Sequence, residues 1–243
     1  MSALRIERDG HVLHVTIAKP ERRNAFDAEL IRELTEAFTD VGDTRAVLLT
    51  GEGESFCAGA DIEWQRSSID LSYEENVEDA LRLYEMLAAI DGCPAPVVAW
   101  IQGYCLGGGC GLAACADVAV AAQDATFGFS EVKLGIIPAV ISPFVLARIG
   151  PGHARRYVLT GERFGADDAL RIGLVSEIAA SADHVLGELV ASGPQAVREA
   201  KRLVRPGPGD GRALAELAAR MRTSDEGQDG LRAFLERRKP GWI

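Results

Sequence analysis

The sequence predicts an α/β fold on three observations. Short apolar runs of strand character alternate with helical periods from residue 4 to residue 122, a glycine-rich stretch leads from a strand into a helix, and strand signals become rare after Pro138. A chain of 243 residues allows one large domain, or one domain with an appendage. With 47% hydrophobic and 26% charged residues it has ordinary globular usage, which sets disordered and fibrous architectures aside.

Residues 4–7 and 12–17 read as strands about an Asp9-Gly10 turn, and Lys19-Pro20 ends the extended run. Asp27 is placed to cap a helix whose apolar positions, Leu30, Ile31, Leu34, Phe38 and Val41, recur at helical spacing. A strand over 46–50 follows. Val77, Leu81, Tyr84 and Leu87 repeat the helical period, and 95–101 reads as a strand buried on both faces. Residues 103–111 are glycine-rich and feed small apolar residues ending at Asp117, with a further strand over 118–122. Parallel β/α units with right-handed crossovers are the economical topology.

Beyond Pro138 the best strand candidate is 174–178, while helical periods run from about 140 to 172 and from 181 to 237, broken by Pro206-Gly207-Pro208-Gly209. The change of composition divides the chain into an α/β core, 1–190, and a helical C-terminal region, 191–243. There is no internal repeat or low-complexity segment.

Lys plus Arg number 26 and Asp plus Glu 36, a net charge of -10, which speaks against a general grip on nucleic acid and leaves any phosphate recognition to a local cluster of cations. The five cysteines are odd in number and form no C-x-x-C pair, so buried reduced thiols are expected rather than a disulfide framework or a zinc site. No run approaches the ~18 apolar residues of a membrane span, and the N-terminus lacks the apolar core of a secretion signal. A cytoplasmic protein with no metal and no membrane partner is expected. His11, His14, His153 and His184 stand beside no Ser or Cys nucleophile pattern, which weighs against a His-based triad.

Two stretches carry chemistry. Residues 55–62, just past a strand, are small enough for a ligand to approach the backbone at Ala58-Gly59-Ala60-Asp61. Residues 103–111 place glycines where a helix begins and its N–H groups face outward. Each alone also reads as an ordinary turn, with Asp61 capping a helix. Neither G-x-G-x-x-G after the first strand nor G-x-x-x-x-G-K-[ST] is present, so dinucleotide and P-loop nucleotide binding are unsupported.

Together with Lys19-Pro20-Glu21-Arg22-Arg23-Asn24-Ala25, Phe127-Gly128-Phe129-Ser130-Glu131, Leu134-Gly135-Ile136-Ile137-Pro138, Leu159-Thr160-Gly161 and the stretch from Phe234 to Pro240, these segments resemble the enoyl-CoA hydratase/isomerase, or crotonase, superfamily. The resemblance implies a spiral of ββα units with a helical C-terminal trimerisation region, a homotrimer or hexamer, and an acyl-CoA thioester substrate. Coenzyme A is part of that substrate, and no separate cofactor is implied.

By the same resemblance, the backbone N–H groups of Ala60 and Gly108 form an oxyanion hole, where each donor is typically worth ~2.7–4 kcal/mol of transition-state stabilisation. Glu131 is the general acid/base. Gly111 and Pro138 belong to the substrate pocket, and Arg22, Arg23, Ala58, Asp61, Ile62 and Arg237 to the CoA path, Arg237 from a neighbouring subunit. Gly111 stands where two-glutamate hydratases carry their second carboxylate, leaving a one-glutamate hydratase, an enoyl-CoA isomerase and a catalytically silent CoA binder as alternatives. Residues 59–64 and 130–144 are similar to bacterial methylglutaconyl-CoA-hydratase-like proteins, and Lys133 is a candidate cation for a second substrate carboxylate. If Gly111 leaves open space beside the acyl chain, that space would admit a branched or longer substrate or a water.

Overall fold

A computed structural model of the chain describes residues 2–204 and 210–243, so the break expected at Pro206-Gly207-Pro208-Gly209 lies outside the described residues. Strands β1 (Leu4–Asp9) and β2 (Val12–Ile17) form an antiparallel hairpin whose two-residue turn begins at Gly10, in the left-handed region at φ 54°. Helix α1 (Ala28–Thr39) starts where Asp27 accepts from Leu30 N at 2.9 Å, and it turns Leu30, Ile31, Leu34 and Phe38 inward. Then come β3 (Ala46–Gly51), α2 (Ile62–Ser67), α3 (Tyr73–Gly92), β4 (Val97–Ile101), β5 (Tyr104–Leu106), α4 (Gly108–Cys115), β6 (Val118–Ala121) and β7 (Thr126–Gly128).

The main sheet has the order β1-β2-β3-β4-β6-β9, parallel throughout except for the first hairpin, with β9 (Glu177–Ile178) at its far edge. Alternation along β4 explains its unbroken apolar run. Val97, Ala99 and Ile101 face the principal core with α1, α3 and α4, whereas Val98 joins Ala46 and Val120 under α7 (Asp183–Ala191). These repeating strand–strand–helix units, followed by α8 (Pro194–Leu203), α9 (Gly211–Thr223) and α10 (Asp225–Glu236), give the crotonase-like architecture that the resemblance implies.

One expectation changes, and two features go beyond the sequence. The strand expected over 174–178 shrinks to β9, because Gly173 turns the chain at φ 82° and the amides of Leu174 and Val175 both bond to Ala169 O, so pairing with β6 begins only at Ser176, whose amide donates to Ala119 O at 2.7 Å. A second sheet, β5-β7-β8 with β8 (Arg163–Gly165), went unforeseen; three-residue strands are too short to show a period. Helix α3 begins at a Ser72–Glu75 capping box and buries Met86, Leu87 and Ile90, while Val77, Leu81 and Tyr84 remain exposed. Between β7 and β8 runs α5 (Ser142–Thr160), kinked at Gly150-Pro151, and α6 (Ala166–Arg171) follows β8. No described helix is long and apolar enough to cross a membrane.

Candidate active site

Two loops meet without a side chain between them. Phe26 N donates to Gly59 O and Asp61 N donates to Phe26 O, both at 2.7 Å, so in this parallel bridge the N–H of Ala60 points away from Phe26. Gly107, at φ 52°, precedes α4, and Gly108 as the first helical residue has an N–H with no acceptor inside the helix. A Cβ on Gly59 would stand 2.9 Å from Leu106 O and 3.8 Å from Gly108 N, and one on Gly108 would meet the Phe26 ring at 2.5 Å. Only glycine permits this approach. Buried Asn24 holds the first loop: its Nδ2 donates to Glu52 O at 3.0 Å and Ser55 O at 2.6 Å, and its Oδ1 accepts from Lys19 N at 2.9 Å.

Ala60 and Gly108 open onto a cavity of about 390 Å³ that Glu131 also lines. This is the size expected of a small-molecule site. Glu131 begins a 3-10 turn, Glu131–Leu134, beyond β7. Its approach is rigid because Phe127, Phe129 and Tyr157 pack on Phe164 with ring centroids 5.7, 6.2 and 4.1 Å away. The carboxylate lies against the glycine corner, since a Cβ on Gly107 would be 3.1 Å from Glu131 Oε1. Glu131 Oε2 is buried with no hydrogen-bond partner among the described residues, and burial pushes the carboxyl pKa above its ordinary value. A carboxyl so placed can exchange a proton with a group in the cavity.

Ala58 and Pro138 line the same cavity. Asp61 caps α2, accepting from Glu63 N at 2.8 Å and Trp64 N at 3.3 Å, and its other oxygen meets Arg22 Nη1 at 3.0 Å. Burial would raise the Asp61 pKa, but Arg22 and the two amides outweigh it and hold the carboxyl below the usual range. Arg22 also pairs with Glu63 at 3.0 Å, and Ile62 beside them is 75% exposed. Arg22, Asp61 and Ile62 therefore cluster at the start of α2, next to the Ala60 corner.

Arg22, Asp61 and Ile62 stand beside the cavity and are not part of its lining, and the structure does not bring Arg23, Arg237 or Gly111 to the cavity wall. The Arg23 guanidinium lies 5.2 Å from the Tyr104 ring centroid and lines a separate polar cavity with Glu54 and Asp124. Arg237 ends α10, exposed. Gly111 is buried, and the open space expected there is filled: a Cβ at 111 would stand 2.7 Å from Ile141 Cγ2 and 3.4 Å from Leu87 Cδ2. Lys133 is exposed and is absent from the cavity lining, which contains no Lys or Arg among the described residues. The sequence reading missed Phe26 and Ile141, and also a polar wall of Gln65, Ser68, Asn76 and Asp79. The Ser72-x-x-Glu75 spacing could have located the start of α3 and hence Asn76 and Asp79 on its first turns.

The enoyl-CoA hydratase/isomerase family profile matches residues 7–243, and the chain belongs to that family. A solved enoyl-CoA hydratase from Shewanella pealeana is 38% identical and superposes with a TM-score of 0.92, over 99% of this chain and 96% of that one. A crotonyl-CoA hydratase of Syntrophomonas wolfei is 32% identical, covering 98% of this chain and 96% of its own. A short-chain-enoyl-CoA hydratase of Clostridium acetobutylicum is also 32% identical, over 96% and 95%. Enoyl-CoA hydratase/isomerase chemistry is thus established at the level of the family.

Proposed function

We propose that the protein is an enoyl-CoA hydratase that adds water across the 2,3 double bond of an acyl-CoA thioester with one catalytic glutamate. The observation that supports this reading is that Glu131, whose Oε2 has no hydrogen-bond partner among the described residues, lines the same cavity as Ala60 and Gly108. Glu131 takes a proton from water as its oxygen bonds to the β-carbon. The π electrons pass to the thioester oxygen, which the Ala60 and Gly108 N–H groups hold as an enolate. Glu131 then returns the proton to the α-carbon, and the enolate collapses to the thioester. The pKa raised by burial makes this carboxylate a better proton acceptor than an ordinary one. The reading calls on no metal and no cofactor beyond the CoA of the substrate.

Ala58, Asp61, Ile62 and Arg22, grouped at the start of α2, are proposed to guide the CoA arm. Arg23 and Arg237 could join only from outside this cavity, Arg237 in the way a neighbouring protomer allows. A homotrimer or hexamer is part of the reading, supported by the exposed Leu214, Leu231 and Phe234 of α9 and α10. The absence of Lys and Arg from the described cavity wall favours a substrate with one carboxyl, as thioester, over a methylglutaconyl-type substrate.

A second reading, enoyl-CoA isomerase, draws on the bare Gly111, which leaves Glu131 to move one proton between the α and γ carbons. Purified protein incubated with 2-enoyl-, 3-enoyl- and 3-methylglutaconyl-CoA, with products followed by mass, separates the readings. A gain of one water supports hydratase, an isobaric shift supports isomerase, and no turnover with retained CoA-thioester binding indicates a silent binder. Glu131→Gln should keep thioester affinity within about threefold and lower turnover by ~10²-fold or more.

A further inference from the structure

Beside the site lies a second cavity of about 300 Å³, walled mainly by Phe129, Val145, Leu146, Ala154, Val158 and Leu159. Its polar lining side chains are Ser142, whose hydroxyl already donates to Ala139 O at 2.8 Å, and exposed Arg155. Pro138 and Ile141 line both cavities and so form the wall they share. Pro138 is held by its ring, and Ile141 is held by burial at 3% exposure. Ile141 sits as deeply as it does because residue 111 has no side chain: its Cγ2 and Cβ lie 2.7 and 3.1 Å from where a Cβ at 111 would be. Gly111 is the socket and Ile141 the plug.

We propose that Ile141, seated over Gly111, is the chain-length stop of the acyl site, closing the main cavity against the second apolar one so that the protein selects short acyl chains. The occupant that the second cavity admits once the wall is opened is a hydrocarbon tail. Its lining matches that chemistry, and the Pro138–Ile141 wall that it shares with the main cavity sets it where a chain too long for that cavity would run. The proposal rests on the reading that a thioester occupies the main cavity. It assigns a role to a residue that contributes no proton and touches no CoA phosphate.

The test is calorimetric titration of the full chain with butyryl-, octanoyl- and lauroyl-CoA, saturated thioesters that bind without turnover. Wild type should bind butyryl-CoA best. Ile141→Ala should improve the lauroyl-to-butyryl affinity ratio by roughly tenfold or more, the gain expected from burying two further methylenes. Val158→Phe, added to fill the second cavity, should remove that gain. Ile141→Val, one methylene smaller, should shift the ratio the same way by roughly fourfold, and it decides the matter if the alanine variant does not fold. An unchanged ratio in a variant that still binds butyryl-CoA overturns the stop and leaves the second cavity to another occupant, such as a second copy of this chain. Equal wild-type affinity for all three chains also overturns it. Failure of wild type to bind any thioester would instead reject the acyl-CoA reading beneath it, and the stop with it.

Discussion

The sheet-centred core and the last two helices use apolar residues in opposite ways. Along β4, Val97, Val98, Ala99 and Ile101 are wholly buried, enclosed from both faces by residues of the same chain. In α9 no residue is buried and in α10 only Ala233 is, while Phe234 is 82% exposed. The end of the chain is held to the core and to α8 by polar contacts instead. Arg45 Nη1 donates to Trp242 O at 2.7 Å, Trp242 Nε1 donates to Ala191 O at 3.1 Å, and Glu226 accepts from the amides of Gln195 and Ala196 at 2.9 and 2.8 Å. Apolar content therefore reports that a surface needs covering, and not which chain covers it.

Just ahead of these two helices, α8 is tied to the sheet by Lys201. Its ammonium is buried, donates to Ala95 O at 2.9 Å and lies 2.6 Å from Asp117 Oδ2, which also accepts from Val97 N at 2.7 Å. Lys201→Met should cost up to about 3–5 kcal/mol, because it removes the buried cation paired with Asp117, which keeps the Val97 amide as a donor. Denaturant unfolding read by far-UV circular dichroism should move as one transition. A split transition, with the helical tail melting ahead of the sheet, would show that the regions are less coupled than this contact implies.

Inside the core, Gly111→Glu should cost about 1–3 kcal/mol or more through overpacking, since Ile141 and Leu87 occupy the place its side chain needs. A thermal melt and a crotonyl-CoA assay check this together. Lower stability with no gain in hydration is expected, whereas faster hydration at unchanged stability would mean that the socket opens to substrate.

At the border between core and solvent, the Glu131 carboxyl should make stability depend on pH. Burial raises its folded pKa, so folding favours the protonated form. Its cost is absent below the ordinary carboxylate pKa, grows as pH rises toward the raised folded value, and is constant above it. Glu131→Gln should therefore melt above wild type at neutral pH, with the gap closing toward about pH 4, where the unfolded carboxyl is protonated too. A gap that does not vary with pH would rule out burial of the charge as its cause.

The smallest effect on the protomer is expected at Phe234, the most exposed large apolar side chain among the described residues. Phe234→Asp should change protomer stability by no more than about 0.5 kcal/mol, yet lower the mass seen by light scattering if α10 covers a neighbouring copy. A wild type that scatters as a monomer across micromolar concentrations would break the contrast and leave Arg237 without a neighbour's site to reach.

Much of the frame was legible in the sequence. Strands buried on both faces betray themselves by unbroken apolar runs, α1 by Asp27 and its inward positions, and the N–H corner by glycines at 59, 107 and 108. The sequence is silent where residues act through distant partners. Val77, Leu81 and Tyr84 keep helical time but remain exposed, while the same helix turns Met86, Leu87 and Ile90 inward.

What the sequence by itself determined is the order of elements and which backbone positions must stay bare, because periodicity, caps and left-handed glycines act within a few residues of the chain. Tertiary structure alone decided that three short strands pair as a second sheet, that Arg23 turns to Tyr104 and away from the cavity, and that Ile141 fills the room at Gly111. Those outcomes depend on close packing between segments far apart in sequence. In a close-packed interior, which neighbour enters a vacant volume is settled by shape and not by local pattern.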